Sequence, residues 1–243
     1  MRLILTSSPC VIGADRAILS NQNQFVDRLK EAVCNHPNIL FVCADPDDYA
    51  GTEEFADVFT EAFFEVGIEL KKVWTLDRRN MEKAWDLVYR SDLIVLSGGH
   101  APTQNEFLAE CGLKEILADY RGVVMGISAG SMNCATLAYE QPEEPGESCD
   151  PDYERFLPGL GLTDVQILPH YQKVKDNILD GRRLYEDITF EDSFGHIFFA
   201  FPDGTYLYQD ELECLIFGEA YMIRDGIMEQ VSKDGECVSL DSL

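Results

Sequence analysis

The sequence contains no apolar run of the ~20 residues that a membrane-spanning helix requires. Its N-terminal segment, MRLILTSSPC, has one arginine and only a short apolar run, so we expect no signal peptide. The eight cysteines are scattered without a C-x-x-C pair, and several lie inside apolar runs, where a free thiol behaves as a small hydrophobic group. These absences predict reduced thiols, no membrane partner and a cytoplasmic protein.

Positive charge is also scarce in this chain. There are 19 Lys and Arg residues against 44 Asp and Glu residues, which gives a formal net charge of −25. A surface this acidic repels phosphate backbones and anionic lipids, so we expect neither nucleic acid nor a membrane as a partner. No group of histidine, cysteine and carboxylate residues has the spacing of a zinc site, so we predict no metal and no cofactor.

The apolar residues that are present form short runs, separated by segments with helical periodicity. These runs are apolar throughout rather than alternating, which is typical of parallel strands buried on both faces. The alternation of strand and helix predicts an α/β fold of three layers, with a mostly parallel sheet flanked by helices, in a single domain that spans residues 1–243. The strand-like runs are residues 2–7, 38–44, 70–76, 92–98, 123–128, 165–171 and 196–202.

Two helices have N-termini that can be predicted from the sequence. In residues 52–66 apolar side chains recur every three or four positions, which predicts a helix with Thr52 as its N-cap and Gly67 just beyond its end. Asn80 is the predicted N-cap of a second helix, which carries its own apolar face.

The C-terminal part has a different pattern, with short strand-like runs and turns at Asp225-Gly226 and Asp234-Gly235. This pattern predicts β-hairpins added to one edge of the sheet, which could pair across a homodimer. Residues 140–158 are rich in proline and acidic residues. They predict a long loop, either a lid beside a site or a solvated excursion.

The segment VVMGISAGSMNCA, residues 123–135, passes from an apolar run into a helical pattern with Ser128 at the junction. A sharp strand-to-helix turn strains its central residue and brings the chain close to itself two positions to either side, where Gly126 and Gly130 have no Cβ to clash. This G-x-S-x-G pattern predicts a nucleophile elbow that exposes the hydroxyl. The amide of Ala129 is then free to stabilise an oxyanion. A glycine-rich turn with an incidental serine is the alternative.

A serine hydroxyl needs a base to act as a nucleophile, and the chain has only four histidines. His170 follows a strand-like run, and the strand exits of a parallel sheet share the edge where sites form, so His170 is the predicted base. His100, which follows a Gly-Gly turn at another exit, is the competing candidate. His36 precedes a proline at a helix end, and His196 lies at the start of a strand, away from the expected site.

The imidazole needs an acid to hold its tautomer, and Asp203 follows another strand-like run in a Pro-Asp-Gly turn. Aspartate before glycine is also ordinary turn chemistry, but a position at the same sheet edge favours the catalytic role. A backbone amide of the Gly98-Gly99 turn could complete the oxyanion hole.

These four exits occur in the order Gly-Gly, G-x-S-A-G, P-H-Y and P-D-G, and together they resemble the peptidase E family of aspartyl dipeptidases over most of the chain. The resemblance implies a class I glutamine amidotransferase-like, flavodoxin-like fold. It implies a triad with Ser128 as nucleophile, His170 as base and Asp203 where the family usually has glutamate. It also implies that Gly99 and Ala129 supply the amides of the oxyanion hole.

The resemblance also implies a substrate with an N-terminal aspartate, which requires a cation in the pocket. Arg182 and Arg183 lie near the positions of the family's own arginines, and we predict that one of them binds a substrate carboxylate. Surface pairing of both arginines with Glu186 and Asp187 is the alternative. His100 is also predicted to contact the substrate.

The sequence therefore predicts a serine peptidase that hydrolyses small peptides as a dipeptidase or exopeptidase. A non-catalytic amidotransferase-like binding domain is an alternative from another class, although a binding module has no use for such a triad. An esterase or other acyl hydrolase with the same triad is a third possibility. The chain order serine, histidine, acid differs from that of α/β-hydrolases. A glutamine amidotransferase would have cysteine at the elbow, and Cys134 lies too far into the helix to replace it.

Overall fold

Residues 1–11 and 17–243 are described by the computed structural model of the chain. The strands, in chain order, are β1 Arg2–Thr6, β2 Asn38–Val42, β3 Lys72–Leu76, β4 Leu93–Leu96, β5 Val123–Ile127, β6 Leu137–Tyr139, β7 Phe156–Pro158, β8 Gln166–Leu168, β9 Ile178–Leu179, β10 Arg182–Arg183, β11 Ile197–Ala200, β12 Tyr206–Gln209, β13 Cys214–Phe217, β14 Ala220–Arg224, β15 Ile227–Ser232 and β16 Cys237–Ser239. The helices are α1 Phe25–Ala32, α2 Tyr49–Glu65, α3 Ala84–Arg90, α4 Ala101–Glu110, α5 Leu113–Leu117, α6 Ala129–Met132, α7 Tyr171–Val174 and α8 Phe190–Asp192. No helix among these residues is long and apolar enough to cross a membrane.

The central sheet has eight strands in the order β16-β13-β12-β1-β5-β4-β2-β3. Strands β1, β5, β4, β2 and β3 are parallel, as the continuous apolar runs predict. Strands β12, β13 and β16 extend the sheet from β1 in antiparallel pairs. Ile127 lies opposite Thr6 of β1, and Gly126 lies opposite Leu96 of β4. The segments that follow β1, β4 and β5 therefore leave the sheet side by side at its C-terminal edge.

Helices cover both faces of this sheet, and neighbouring residues of one strand enter different cores. Leu40 of β2 packs in the core that contains residues of α3, α4 and α5, and Phe41 packs in the core of α1 and α2. The Phe41 ring centroid is 6.4 Å from that of Phe59 and 6.5 Å from that of Phe63, both on α2. Burial of each such side chain stabilises the fold by ~2 kcal/mol, so a strand with two buried faces is apolar throughout. The predicted three-layer α/β architecture is confirmed.

A second sheet of four strands has the order β15-β14-β11-β8. The expectation that residues 165–171 and 196–202 join the central sheet is therefore wrong, since β8 and β11 pair with each other here. The placement of all C-terminal hairpins at one edge is also wrong, because β12–β13 extends the central sheet and β14–β15 extends the second one. The second sheet has its own core, in which the Phe198 ring stacks on Tyr139 at 4.2 Å. Local patterns cannot show which sheet a buried strand joins.

The starts of two helices also differ from the predictions. The N-cap of α2 is Asp48, whose carboxylate accepts a hydrogen bond from the Gly51 amide at 2.9 Å. Thr52 lies inside the first turn and donates to the Asp48 carbonyl, so its prediction as N-cap is wrong. A carboxylate also interacts favourably with the positive end of the helix dipole. Asn80 precedes a short 3-10 turn that leads into α3, and its side chain accepts from the Asp77 amide instead of capping the helix.

Candidate active site

Ser128 lies in a sharp turn between β5 and α6, at the C-terminal edge of the central sheet. Its backbone has φ 51° and ψ −115°, a conformation that residues other than glycine rarely adopt. A Cβ on Gly126 would lie 2.7 Å from the Ser131 Cα, and a Cβ on Gly130 would lie 2.3 Å from the Leu96 carbonyl oxygen. Both positions therefore require glycine, and the turn has the geometry of a nucleophile elbow.

His170 brings its imidazole to Ser128 from the second sheet, just before α7. Its Nε2 lies 3.0 Å from the Ser128 Oγ, within hydrogen-bond distance. The His170 backbone has a φ of 59°, and its amide donates to the Ser7 Oγ at 2.7 Å. An imidazole nitrogen at this distance can take a proton from the hydroxyl.

Asp203 lies on the connection between β11 of the second sheet and β12 of the central sheet. Its Oδ1 is 2.6 Å from the His170 Nδ1, and its Oδ2 is 2.7 Å from the Lys173 Nζ. Burial alone would raise the pKa of this carboxyl, which is 5% exposed. Hydrogen bonds from His170, Lys173 and Ser7 outweigh burial and hold that pKa well below its usual range. The carboxylate is thus ionised at neutral pH and can keep the Nδ1 of His170 protonated.

Two residues of this network, Ser7 and Lys173, were not predicted from the sequence. The Ser7 hydroxyl donates to the Asp203 Oδ1 at 2.9 Å and accepts from the His170 amide, so it ties the acid to the base. Ser7 is not part of a recognisable motif. Only its position directly after β1 could have indicated that it lies at the site. Lys173 lies on α7, one turn after His170, and that spacing could have indicated that the two share a site.

Replacing Ser7 by alanine should lower kcat about tenfold and change KM little, because the Asp203–His170 pair loses the hydroxyl that fixes its position. The measurement is steady-state kinetics on a small peptide that the wild type cleaves. Ser8→Ala is the matched control, since the Ser8 hydroxyl makes no hydrogen bond within the described residues. Equal losses in both variants, or a loss confined to KM, would contradict a positioning role for Ser7.

Two backbone amides lie at the turns beside Ser128. A Cβ on Gly98 would lie 3.3 Å from the Ser128 Cβ, which brings the turn after β4 against the elbow. Ala129 is the first residue of α6. Among the described residues, no acceptor takes a hydrogen bond from the amide of Gly99 or of Ala129. Their role as oxyanion donors stays a prediction.

Two cavities flank the Ser128–His170 pair. The larger has a volume of about 500 Å³ and is lined by residues that include Met132 of α6, His170 and loop residues 141–143. The smaller, of about 330 Å³, lies on the side of Gly98, Gly99 and His100. Both volumes are typical of small-molecule sites, which range over roughly 300–1,000 Å³. The 140–158 segment therefore lies beside the site, as the first of its two predicted roles requires, although residues 156–158 form strand β7 and not loop.

The same loop carries three glutamates, Glu140, Glu143 and Glu147, in different surroundings. Glu143 lines the wall of the larger cavity, and the Glu147 carboxylate lies 3.4 Å from the Nε2 of His100. Glu140 is 1% exposed, and neither of its carboxyl oxygens has a hydrogen-bond partner within the described residues. Burial, with a smaller effect of the Glu143 charge, raises the pKa of Glu140 to about 8. This part of the site is therefore acidic and partly desolvated.

His100 does not contact the Ser128 hydroxyl. Its Nδ1 lies 2.8 Å from the Thr103 Oγ1, and its ring faces Glu147 on the other side. The arrangement therefore favours His170 over His100 as the base. A contact of His100 with substrate stays a prediction.

Arg182 and Arg183 are both paired with protein acceptors. The Arg183 guanidinium binds Asp187 through two hydrogen bonds of 2.6 and 3.0 Å. Arg182 lies 3.1 Å from the Glu191 carboxylate and also donates to the Asp187 carbonyl. Neither arginine is among the described residues that line the two cavities. Both arginines are thus paired at the surface, as in the alternative, but the partner of Arg182 is Glu191 and not the expected Glu186. A substrate role for either arginine stays a prediction.

Cys134 is the cysteine that follows the elbow in the chain. It is buried, and its thiol donates to the Gly130 carbonyl at 3.2 Å. Burial raises the pKa of this thiol, so it stays protonated and is a poor nucleophile. Within residues 1–11 and 17–243, no group of three or more histidine, cysteine or acidic side chains could hold a metal ion.

Comparisons with known proteins bear on the fold and the family of the chain. One solved structure, a peptidase from an acI-B1 actinobacterium, is 19% identical, with a TM-score of 0.69 over 98% of this chain and 96% of the other. A second, a candidate peptidase E protein from Listeria monocytogenes EGD-e, is 16% identical, with a TM-score of 0.59 over 95% of this chain and 98% of the other. Both show that the fold is shared, whereas no curated protein matches the chain. The sequence model of peptidase family S51 matches residues 3–214. The chain therefore belongs to peptidase family S51, the peptidase E family of serine-type peptidases.

Proposed function

We propose that the protein hydrolyses small peptides as a dipeptidase or exopeptidase, through an acyl-enzyme on Ser128. The observation that carries the proposal is the unbroken chain of short contacts from the Ser128 Oγ to the His170 Nε2, at 3.0 Å, and from the His170 Nδ1 to the Asp203 Oδ1, at 2.6 Å. A nucleophile, a base and an acid in this order form the set that acyl transfer requires.

In the first half of the reaction, the Ser128 Oγ attacks the peptide carbonyl carbon while its proton passes to the Nε2 of His170. Asp203 holds Nδ1 and stabilises the imidazolium that forms. The amides of Gly99 and Ala129 donate to the oxyanion of the tetrahedral intermediate. The C–N bond then breaks, and His170 gives its proton to the departing amine.

In the second half, a water molecule attacks the ester carbonyl of the acyl-enzyme, and His170 takes its proton. The ester bond breaks and the proton returns to the Ser128 Oγ, which releases the carboxylic acid. No step needs a metal or an organic cofactor, since the protein groups supply every proton and every hydrogen bond.

The size of the site supports a small substrate. The cavity of about 500 Å³ beside His170 has room for one or two amino-acid residues, and the 140–158 loop forms part of its wall. A long polypeptide would have to pass this loop. An esterase would use the same three side chains, but no contact in the site favours an ester over an amide.

The proposal is tested by labelling with a fluorophosphonate, which reacts with serines that a neighbouring base activates. We expect one label per chain, and peptide mapping by mass spectrometry should find it on Ser128. His170→Ala should abolish the labelling, because the hydroxyl loses its proton acceptor. Heat-denatured wild type is the control for non-specific reaction. Label on another serine, or equal labelling of the His170→Ala variant, would contradict the assignment.

A further inference from the structure

Apolar side chains supply most of the wall of the larger cavity. They come from α6, the 140–158 loop, α7 and the segment around the β9–β10 hairpin. Ile178 on this hairpin is 67% exposed, so a large apolar side chain faces the cavity region without cover. The apolar wall residues include Met132, Pro142, Val174, Ile178, Leu179 and Leu184.

Glu143 and His170 are the charged or titratable residues among the described ones that line this cavity. Glu143 is solvent-accessible, yet the surrounding protein desolvates its carboxyl enough to raise its pKa, against an opposing effect of His100. No donor among the described residues makes a hydrogen bond to this carboxylate. The carboxylate thus lines the cavity without a donor from the protein, so it is free to accept hydrogen bonds from a positively charged group of a ligand.

The cavity also lacks a cation of its own. No lysine or arginine among the described residues lines it. Lys173, on the adjacent α7, is paired with Asp203, and Arg183 is paired with Asp187. An aspartate side chain held in this cavity would therefore meet Glu143 without a compensating positive charge. The wall instead fits an uncharged, apolar side chain.

We infer that this cavity binds the N-terminal residue of a peptide that has an apolar side chain, with the carboxylate of Glu143 receiving the α-ammonium group. The inference rests on the proposed function, since the residue held here is the one whose carbonyl faces Ser128. The ammonium supplies the hydrogen-bond donors that Glu143 lacks, and the side chain covers Ile178. A charged hydrogen bond of this kind is about twice as strong as a neutral one, so a free N-terminus becomes a requirement for efficient cleavage.

The test compares Leu-Ala, N-acetyl-Leu-Ala and Asp-Ala as substrates of the wild type, Glu143→Gln and Glu144→Gln. Glu144 is the matched control, because it is the next residue of the same loop and does not line the cavity. We expect kcat/KM of the wild type to be at least ~10-fold higher for Leu-Ala than for the other two peptides. Glu143→Gln should lower the value for Leu-Ala about tenfold and leave that for N-acetyl-Leu-Ala unchanged. Glu144→Gln should change neither.

The same peptides are also titrated into Ser128→Ala and Ser128→Ala/Glu143→Gln by calorimetry, which reads binding without turnover. Selective binding of Leu-Ala that depends on Glu143 supports the subsite even if no peptide is cleaved, an outcome that would reject only the proposed function. Ser128-dependent cleavage without preference for Leu-Ala over the acetylated or the aspartyl peptide would keep the proposed function and overturn the subsite. Equal effects of Glu143→Gln and Glu144→Gln, or no binding of Leu-Ala to the Ser128→Ala variant, would also overturn it.

Discussion

Ser128→Ala should lower kcat/KM by about 10⁴-fold or more for every peptide that the wild type cleaves. Without the hydroxyl, His170 has no proton to take and no acyl-enzyme can form, so only binding and the oxyanion donors remain. The fold should persist, because the Ser128 side chain makes its one hydrogen bond within the described residues to His170, and the elbow strain is unchanged with alanine. The measurement is hydrolysis of a dipeptide and short-peptide panel, with circular dichroism to verify folding.

The matched variant for this prediction is His170→Ala, alone and combined with Ser128→Ala. Residues that act as one catalytic unit have non-additive effects, so the double variant should be no less active than either single one. Losses that multiply would mean that the two side chains act independently, against the proposed triad. Turnover that survives in Ser128→Ala would indicate another nucleophile, and absence of turnover in the wild type would favour the non-catalytic binding domain.

Glu140→Gln should stabilise the protein at pH 8.5 and above by on the order of 4 kcal/mol and have little effect near pH 5. The unfolded chain releases this proton near the ordinary pKa of 4.5, whereas the folded chain holds it until about pH 8. Folding therefore takes up a proton between these values, so the stability of the wild type falls as the pH rises through this window. Glutamine is uncharged in both the folded and the unfolded chain, so the variant does not lose stability as the pH rises through this window.

Thermal unfolding between pH 5 and pH 9 measures this effect, and a difference of about 10 °C in Tm is expected at the alkaline end. Glu144→Gln, at an exposed position of the same loop, should shift stability by less than about 0.5 kcal/mol at every pH. A parallel offset of the Glu140→Gln curve at all pH values would show that Glu140 is already ionised in the folded protein at pH 5, contrary to its burial.

The parts of the molecule that follow from local chemistry could be predicted from the sequence. Four of the five parallel strands, β1, β2, β4 and β5, are buried over nearly their whole length, so each is a continuous apolar run. The fifth, β3, lies at the edge of the sheet and is largely exposed. The elbow could be predicted because glycine is required on both sides of Ser128. A Cβ on Gly126 would clash with backbone atoms a few residues after Ser128, and a Cβ on Gly130 would clash with the neighbouring strand. His170 and Asp203 could be predicted because each follows an apolar run. Those runs were assigned to the central sheet, whereas they form strands of the second sheet.

The other features depend on contacts between segments that are far apart in the chain, and a local sequence pattern does not indicate such contacts. Ser7 meets Asp203 across 196 positions of the chain, and a serine after a strand is too common to single out. The second sheet depends on how β8 and β11 pair, and their composition suits either sheet. Glu143 is one of several glutamates in an acidic loop, and only the fold shows that it is the one beside His170.

The catalytic groups are divided between two sheets, and this affects when the active site is assembled as the chain folds. Ser128 belongs to the central sheet, His170 to the second sheet, and Asp203 to the crossing between them. In a chain whose strands β1 to β5 have paired but whose second sheet has not formed, Ser128 has no proton acceptor, because His170 follows β8. In the proposed mechanism, the Ser128 hydroxyl therefore becomes reactive only when both sheets are in place, and a partly folded chain has no activated nucleophile.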